Sequence, residues 1–147
     1  MDMNARTPEQ TRDGAGAVIH LNAREVHSAF GKGQVLVDAP ELAIHASRRG
    51  QAGLAEVHAT ETDTFYILEG SATLVTGGVV VDARSEGPNE IRGTGIQGGE
   101  IHQVSKGDVV VIPKGMPHWF KEVQAPMLYY TVKVRCLSPS HLRVPHR

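Results

Sequence analysis

An all-β domain is the fold class this sequence predicts, and three observations carry it. The 16 glycines and 8 prolines in 147 residues exceed what long helices tolerate and suit short strands joined by tight turns. From Val35 onward apolar residues recur at alternate positions, the spacing that lines one face of a strand. Turn signals such as Gly77-Gly78 and Pro113-Lys114-Gly115 separate these runs as hairpin connections do. The length suits one domain, and an apolar fraction of 40% supports one core and so one site.

Taken in order, residues 1–17 are polar and without periodicity, so they are expected to form an arm outside the domain. Asn22 and Glu25 make a capping box. Val26, Ala29 and Phe30 supply one apolar face and Gly31 a stop, which predicts one short helix. Strands then begin at Val35 and Val37 and continue through Leu42, Ile44 and Ala46. Residues 54–60 and 64–68 read as two strands separated by Glu61-Thr62-Asp63. Glu69-Gly70 turns the chain into 72–76, and Gly77-Gly78 leads into 79–81. Residues 82–99 hold Pro88 and glycines at 87, 93, 95, 98 and 99, which predicts a long loop, placed as a mobile flap at a cavity mouth. Further strands are expected at 100–104, 109–112, 118–123 and 128–134. The tail 138–147 is polar, so the folded domain is expected to span 18–137.

Composition excludes several partners. Fifteen basic residues against sixteen acidic ones give a formal charge of -1, which leaves no footprint for nucleic acid or an anionic membrane. No apolar run, Val109 to Ile112 included, approaches the roughly twenty residues that span a bilayer. A small-molecule ligand is the expected partner. Residues 1–16 lack the apolar segment of a secretory signal, so a cytoplasmic location is expected. Cys136 is the only cysteine, which excludes an internal disulfide and a thiolate metal cluster.

Of the eight histidines, four sit in contexts that call for weighing: His45, His58, His102 and His118. Gly107, Pro113, Gly115 and His118 fall in a series in which a glycine turns the chain, a short strand follows, and Pro and Gly reverse it. His118 thereby enters the next strand pointing inward. This series resembles the second conserved motif of the cupin superfamily, G(X)5PXG(X)2H(X)3N, with Glu122 in place of the final Asn. Gly50, Glu56, His58, Asp63 and Gly70 fit the spacing of the first motif, G(X)5HXH(X)3,4E(X)6G, with Glu56 at the first histidine position and Asp63 at the glutamate position. Both replacements keep an oxygen donor, and Glu56 and His58, two apart, share one strand face.

The resemblance implies a cupin-type double-stranded β-helix, or jelly-roll barrel, over roughly residues 35–134, with one short N-terminal helix added. It also implies one divalent metal ion, Fe, Mn, Zn or Ni, held by Glu56, His58, Asp63 and His118, and a homodimer, since cupins commonly pair through sheet edges. The bland alternatives are hydrogen-bonded core histidines at 58 and 118 and surface or turn-forming carboxylates at 56 and 63. His102 shares parity with Val104, so it lines the cavity, adds a ligand or is tied to a neighbouring strand. His45 alternates against Leu42, Ile44 and Ala46 and is expected to face out. Phe65 and Phe120, by parity with Asp63 and His118, are expected to wall the cavity. Ile67 reads as ordinary core, and Trp119 and Tyr66 have the opposite parity. Arg92, in the 82–99 stretch, is the residue there best suited to meet an anionic substrate. Two functions follow: a metal-dependent enzyme of dioxygenase, isomerase or decarboxylase type acting on a small organic substrate, or a non-catalytic binding or structural barrel whose altered first motif marks a lost metal site.

Overall fold

The computed structural model describes residues 16–136. The expected tail and nearly all of the expected arm lie outside that range, and Gly16 and Ala17 belong to no helix or strand. The described residues form one helix, α1 (Ala23–Phe30), and eleven strands: β1 (Gln34–Asp38), β2 (Leu42–Arg49), β3 (Ala55–His58), β4 (Glu61–Thr76), β5 (Val79–Val81), β6 (Arg84–Ser85), β7 (Glu90–Gly93), β8 (Gly95–Gln97), β9 (Glu100–Ser105), β10 (Val109–Ile112) and β11 (His118–Arg135). The all-β prediction holds. No described helix is long and apolar enough to cross a membrane.

Helix α1 starts where the capping box places it. The Asn22 side chain accepts the Glu25 backbone N–H at 2.9 Å, satisfying one of the orphan donors of the first turn. Ala29 and Phe30 pack on Ala46 of β2, and the Phe30 ring meets Tyr130 edge-on at 5.1 Å.

Every strand pairing is antiparallel. The two long strands β4 and β11 pair with each other along their length and pass through both layers of the barrel. The first half of β4 pairs with β10 and its second half with β9. The end of β11 pairs with β2, while its first residue, His118, faces Glu56 of β3. The sequence reading divided each long strand in two, and the structure corrects this. The Glu69-Gly70 turn is a bend inside β4, and the gap between 123 and 128 is a pairing irregularity inside β11. Gly70 makes the bend possible: its φ is +80°, and a Cβ there would lie 2.7 Å from the Pro126 carbonyl oxygen.

A second correction concerns 82–99. This stretch forms β6, β7 and β8 rather than a flap, with β7 paired to β3 and β8 to β5. Its glycines serve close packing more than mobility. Gly93 is buried against Val80 and the Val81 carbonyl, and Gly95 lies under the Trp119 ring, where a Cβ would come within 3.0 Å. Such approaches let strands of two to four residues seal one wall of the barrel.

The main core, Phe65, Ile67, Ala72, Leu74, Val104, Ile112, Phe120, Met127 and Tyr129, fills the barrel between the sheets. We expect Gly70→Ala to lower unfolding stability by about 1–3 kcal/mol or more, since both the left-handed backbone and the close carbonyl oppose a methyl group. Gly50→Ala, with nothing near the added carbon, should stay within about 0.5 kcal/mol. Urea denaturation of the two variants checks this.

Candidate metal centre

The end of the barrel beyond Phe65 and Phe120 opens into a cavity of about 370 Å³. Strand parity decides what lines it, and it does so against the usual expectation. On β2 the even residues Ile44 and Ala46 face away from the barrel, with Ala46 under α1, while His45, Ser47 and Arg49 face the cavity. The end of β11 repeats the pattern: Tyr130 packs outward against Phe30, while Tyr129, Thr131 and Lys133 point in. The expectation that His45 faces out is therefore wrong. The apolar stripe on β2 marks the helix-covered face, and the polar stripe marks the barrel interior.

Glu56, His58, Asp63 and His118 converge inside this cavity. His58 and His118 are buried, Asp63 is 2% exposed, and the two imidazole rings lie 5.0 Å apart. Glu56 Oε2 is 3.7 Å from Nε2 of both histidines. Asp63 Oδ2 is 3.5 Å from His58 Nε2 and 4.0 Å from His118 Nε2. Donor atoms that each bind one ion at about 2.0–2.2 Å stand roughly 3–4 Å apart, a separation that the Glu56 oxygen keeps from both histidine nitrogens.

The tautomers follow from the outer partners. His58 Nδ1 lies 2.7 and 2.8 Å from the two carboxylate oxygens of Glu90, and His118 Nδ1 lies 3.1 Å from the Met116 carbonyl. Both partners only accept, so in the neutral imidazoles the proton sits on Nδ1 and the Nε2 lone pair faces the cluster. This is the outer-shell arrangement that orients metal-bound histidines. Glu56, His58 and His118 thus form a His/carboxylate cluster that could hold a metal ion.

Asp63 has a second partner. Lys133 Nζ donates to both of its carboxylate oxygens, at 3.0 and 3.1 Å. Arg92 stands opposite Glu56 on β7, with its Nε 3.6 Å from Glu56 Oε1 and making no hydrogen bond. Phe65 and Phe120 line the cavity. His102 does not. It is tied to Thr76 at 2.9 Å and is absent from the cavity wall, so of its three readings the interstrand tie holds. Trp119 donates to the Gly53 carbonyl at 3.0 Å.

Sequence reading missed Glu90, Lys133, His45 and Arg49. Glu90 lies in the stretch read as a loop, where no periodicity gave it a direction. The other three carried a usable signal, polar residues at alternate positions of a strand whose remaining positions are mostly apolar. That signal is ambiguous until the helix-covered face is known.

This barrel with a histidine-bearing cavity defines a class. The family model described as cupin matches residues 4–133, and the chain belongs to the cupin family. No curated protein matches it in sequence. Among solved structures it is similar to BH2720 from Bacillus halodurans, at TM-score 0.56 and 13% identity over 88% of this chain and 89% of that one. It is also similar to SPY1581, a protein of unknown function from Streptococcus pyogenes, at TM-score 0.51 and 19% identity, covering 72% and 75%. KdgF from a Halomonas species matches at TM-score 0.50 and 17% identity, covering 71% and 80%. At such identities these likenesses establish the fold.

Burial pulls the pKa of His118 below its ordinary value, with the neighbouring His58 adding to the effect and the Met116 carbonyl opposing it. Burial and Lys133 lower that of His45. Both imidazoles therefore take up protons more readily in the unfolded chain, where the pKa is about 6.5. Their contribution to stability is complete above that pH and falls as pH drops from about 6.5 toward the lower native values. In metal-free protein we expect both rings to titrate below 6.5 by NMR, with urea midpoints falling across the same window.

Proposed function

We propose that this chain is a metal-dependent small-molecule cupin, in which Glu56, His58, Asp63 and His118 hold one divalent ion, Fe, Mn, Zn or Ni, beside a cavity that admits a small organic substrate. The observation that carries the reading is the pair of imidazoles whose Nδ1 protons are engaged outward, leaving both Nε2 atoms facing one Glu56 oxygen at 3.7 Å. When bound, such an ion supplies Lewis acidity or a redox centre toward an oxygen-bearing ligand. The chain's own groups do the rest. Glu90 and Met116 fix the rings, and Phe65 and Phe120 keep one side of the cavity apolar.

A second reading has its own support. Lys133 and Arg92 already lie against the two carboxylates, an arrangement that also suits a metal-free binding barrel. The two readings diverge at Lys133. A cation 3.0 Å from Asp63 competes with a metal for the same oxygens, so removing it should strengthen metal binding if Asp63 is a ligand.

The expected homodimer belongs with these proposals. Strand β10 is a sheet edge, and its Val109 and Val111 are exposed, which favours cover by a second copy. Sedimentation at micromolar concentration is expected to show a dimer.

Elemental analysis of protein purified without added metal should find about one equivalent in the wild type and in His45→Ala, and none in His58→Ala or His118→Ala. Glu90→Gln should weaken metal affinity about 10- to 100-fold, and Lys133→Met should strengthen it. Full metal content in both histidine variants would refute the assignment and favour the binding barrel.

A further inference from the structure

Four cations and four carboxylates line the cavity, and three of the cations have acidic partners. Lys133 pairs with Asp63, Arg135 with Glu61, and Arg92 faces Glu56. Arg49 differs. Among the described residues no carboxylate lies within 4.0 Å of its guanidinium, although the group is held firmly. Its Nε donates to the Tyr129 hydroxyl at 3.3 Å, and its central carbon sits 5.1 Å from the Phe120 ring centroid. The Gly53 backbone lies against its terminal nitrogens, so tightly that a Cβ at 53 would collide with the guanidinium. Gly53 is itself fastened to β11, accepting from Trp119 Nε1 at 3.0 Å and donating to the Phe120 carbonyl at 3.0 Å.

A guanidinium held by three contacts inside a cavity and lacking a counterion among the described residues is prepared for an anion from outside. Its ordering cost is already met in the free protein, and its planar fork matches a carboxylate through two parallel hydrogen bonds. The surface leading from Arg49 to the metal cluster is aromatic: Phe120 lies 5.5 Å from Phe65, and Phe65 lies 6.3 Å from His118. One unpaired cation beside an otherwise paired lining suits a monoanion better than a phosphate dianion.

We propose that Arg49 is the anchoring residue of a carboxylate subsite, so that the ligand is a small organic acid whose apolar body lies along Phe120 and Phe65 toward His118. This deepens the proposed function by naming the substrate class, and it rests on the cavity being the ligand site. The Arg49 contacts themselves need no metal.

The test uses the full chain labelled with ¹⁵N and benzoate as probe, with benzamide and inorganic phosphate for comparison. Benzoate should shift the Arg49 Nε–H and Gly53 N–H resonances saturably, and benzamide and phosphate should bind at least tenfold more weakly. Arg49→Met should weaken benzoate binding at least tenfold, and Arg49→Lys by less, since it keeps the charge and loses the fork. Gly53→Ala keeps the arginine but displaces it, and should also weaken binding. Equal binding of benzoate and benzamide, tighter binding of phosphate, unchanged affinity in Arg49→Met, or no saturable shift in the wild type would each overturn the proposal. Metal content measured on the same samples separates the two ideas: benzoate bound through Arg49 in protein that retains no metal would refute the metal centre and leave this subsite standing.

Discussion

Charge buried in a barrel must find a partner or be expelled, and the arrangement at this end of the molecule follows from that constraint. Asp63, 2% exposed, is accommodated because Lys133 reaches both of its oxygens. Glu61 is matched by Arg135. His58 meets Glu90, and the two histidines keep their second nitrogens turned toward Glu56 and Asp63. Among the described residues the groups that remain incompletely matched include the two Nε2 lone pairs, the Arg92 Nε–H and the Arg49 guanidinium, and the proposed metal centre and anion subsite rest on them.

The scaffold makes this possible by carrying two long strands past both the apolar core and the cavity. Both β4 and β11 bend, at Gly70 and between Gln124 and Leu128. The inward residues Leu74 and Phe120 serve the closed apolar core, whereas Asp63 and Lys133 serve the cavity. Phe65, Phe120 and Tyr129 form the boundary, packed ring to ring at 5.4–5.5 Å. A cluster resting on such a floor is shielded from water on one side and open on the other.

The residues that proved legible in sequence were those whose backbone constraint is local. The Pro-Lys-Gly reversal fixes where His118 enters its strand, the two-residue spacing puts Glu56 and His58 on one face, and the Asn22 cap sets the helix start. What escaped depended on partners distant in the chain. Lys133 is seventy positions from Asp63, and Glu90 is thirty-two from His58, so no local pattern links them. His45 was misplaced for a related reason: polar alternation shows that a strand has two faces, and only the packing of Phe30 and Ala46 reveals which one is covered by the helix. The glycines of 82–99 read as flexibility because their role, letting Val81 and Trp119 approach the backbone, is invisible without the neighbours.

The central claim is that two outward-anchored imidazoles and the carboxylates beside them form one metal centre. Anomalous diffraction at the absorption edge of the co-purifying metal, on crystals grown without chelator, tests it most directly. The account predicts a single peak about 2.0–2.2 Å from Nε2 of both His58 and His118, with Glu56 and Asp63 supplying oxygens. It is contradicted if no peak lies there and Lys133 remains bound to both oxygens of Asp63, or if the metal sits elsewhere on the chain.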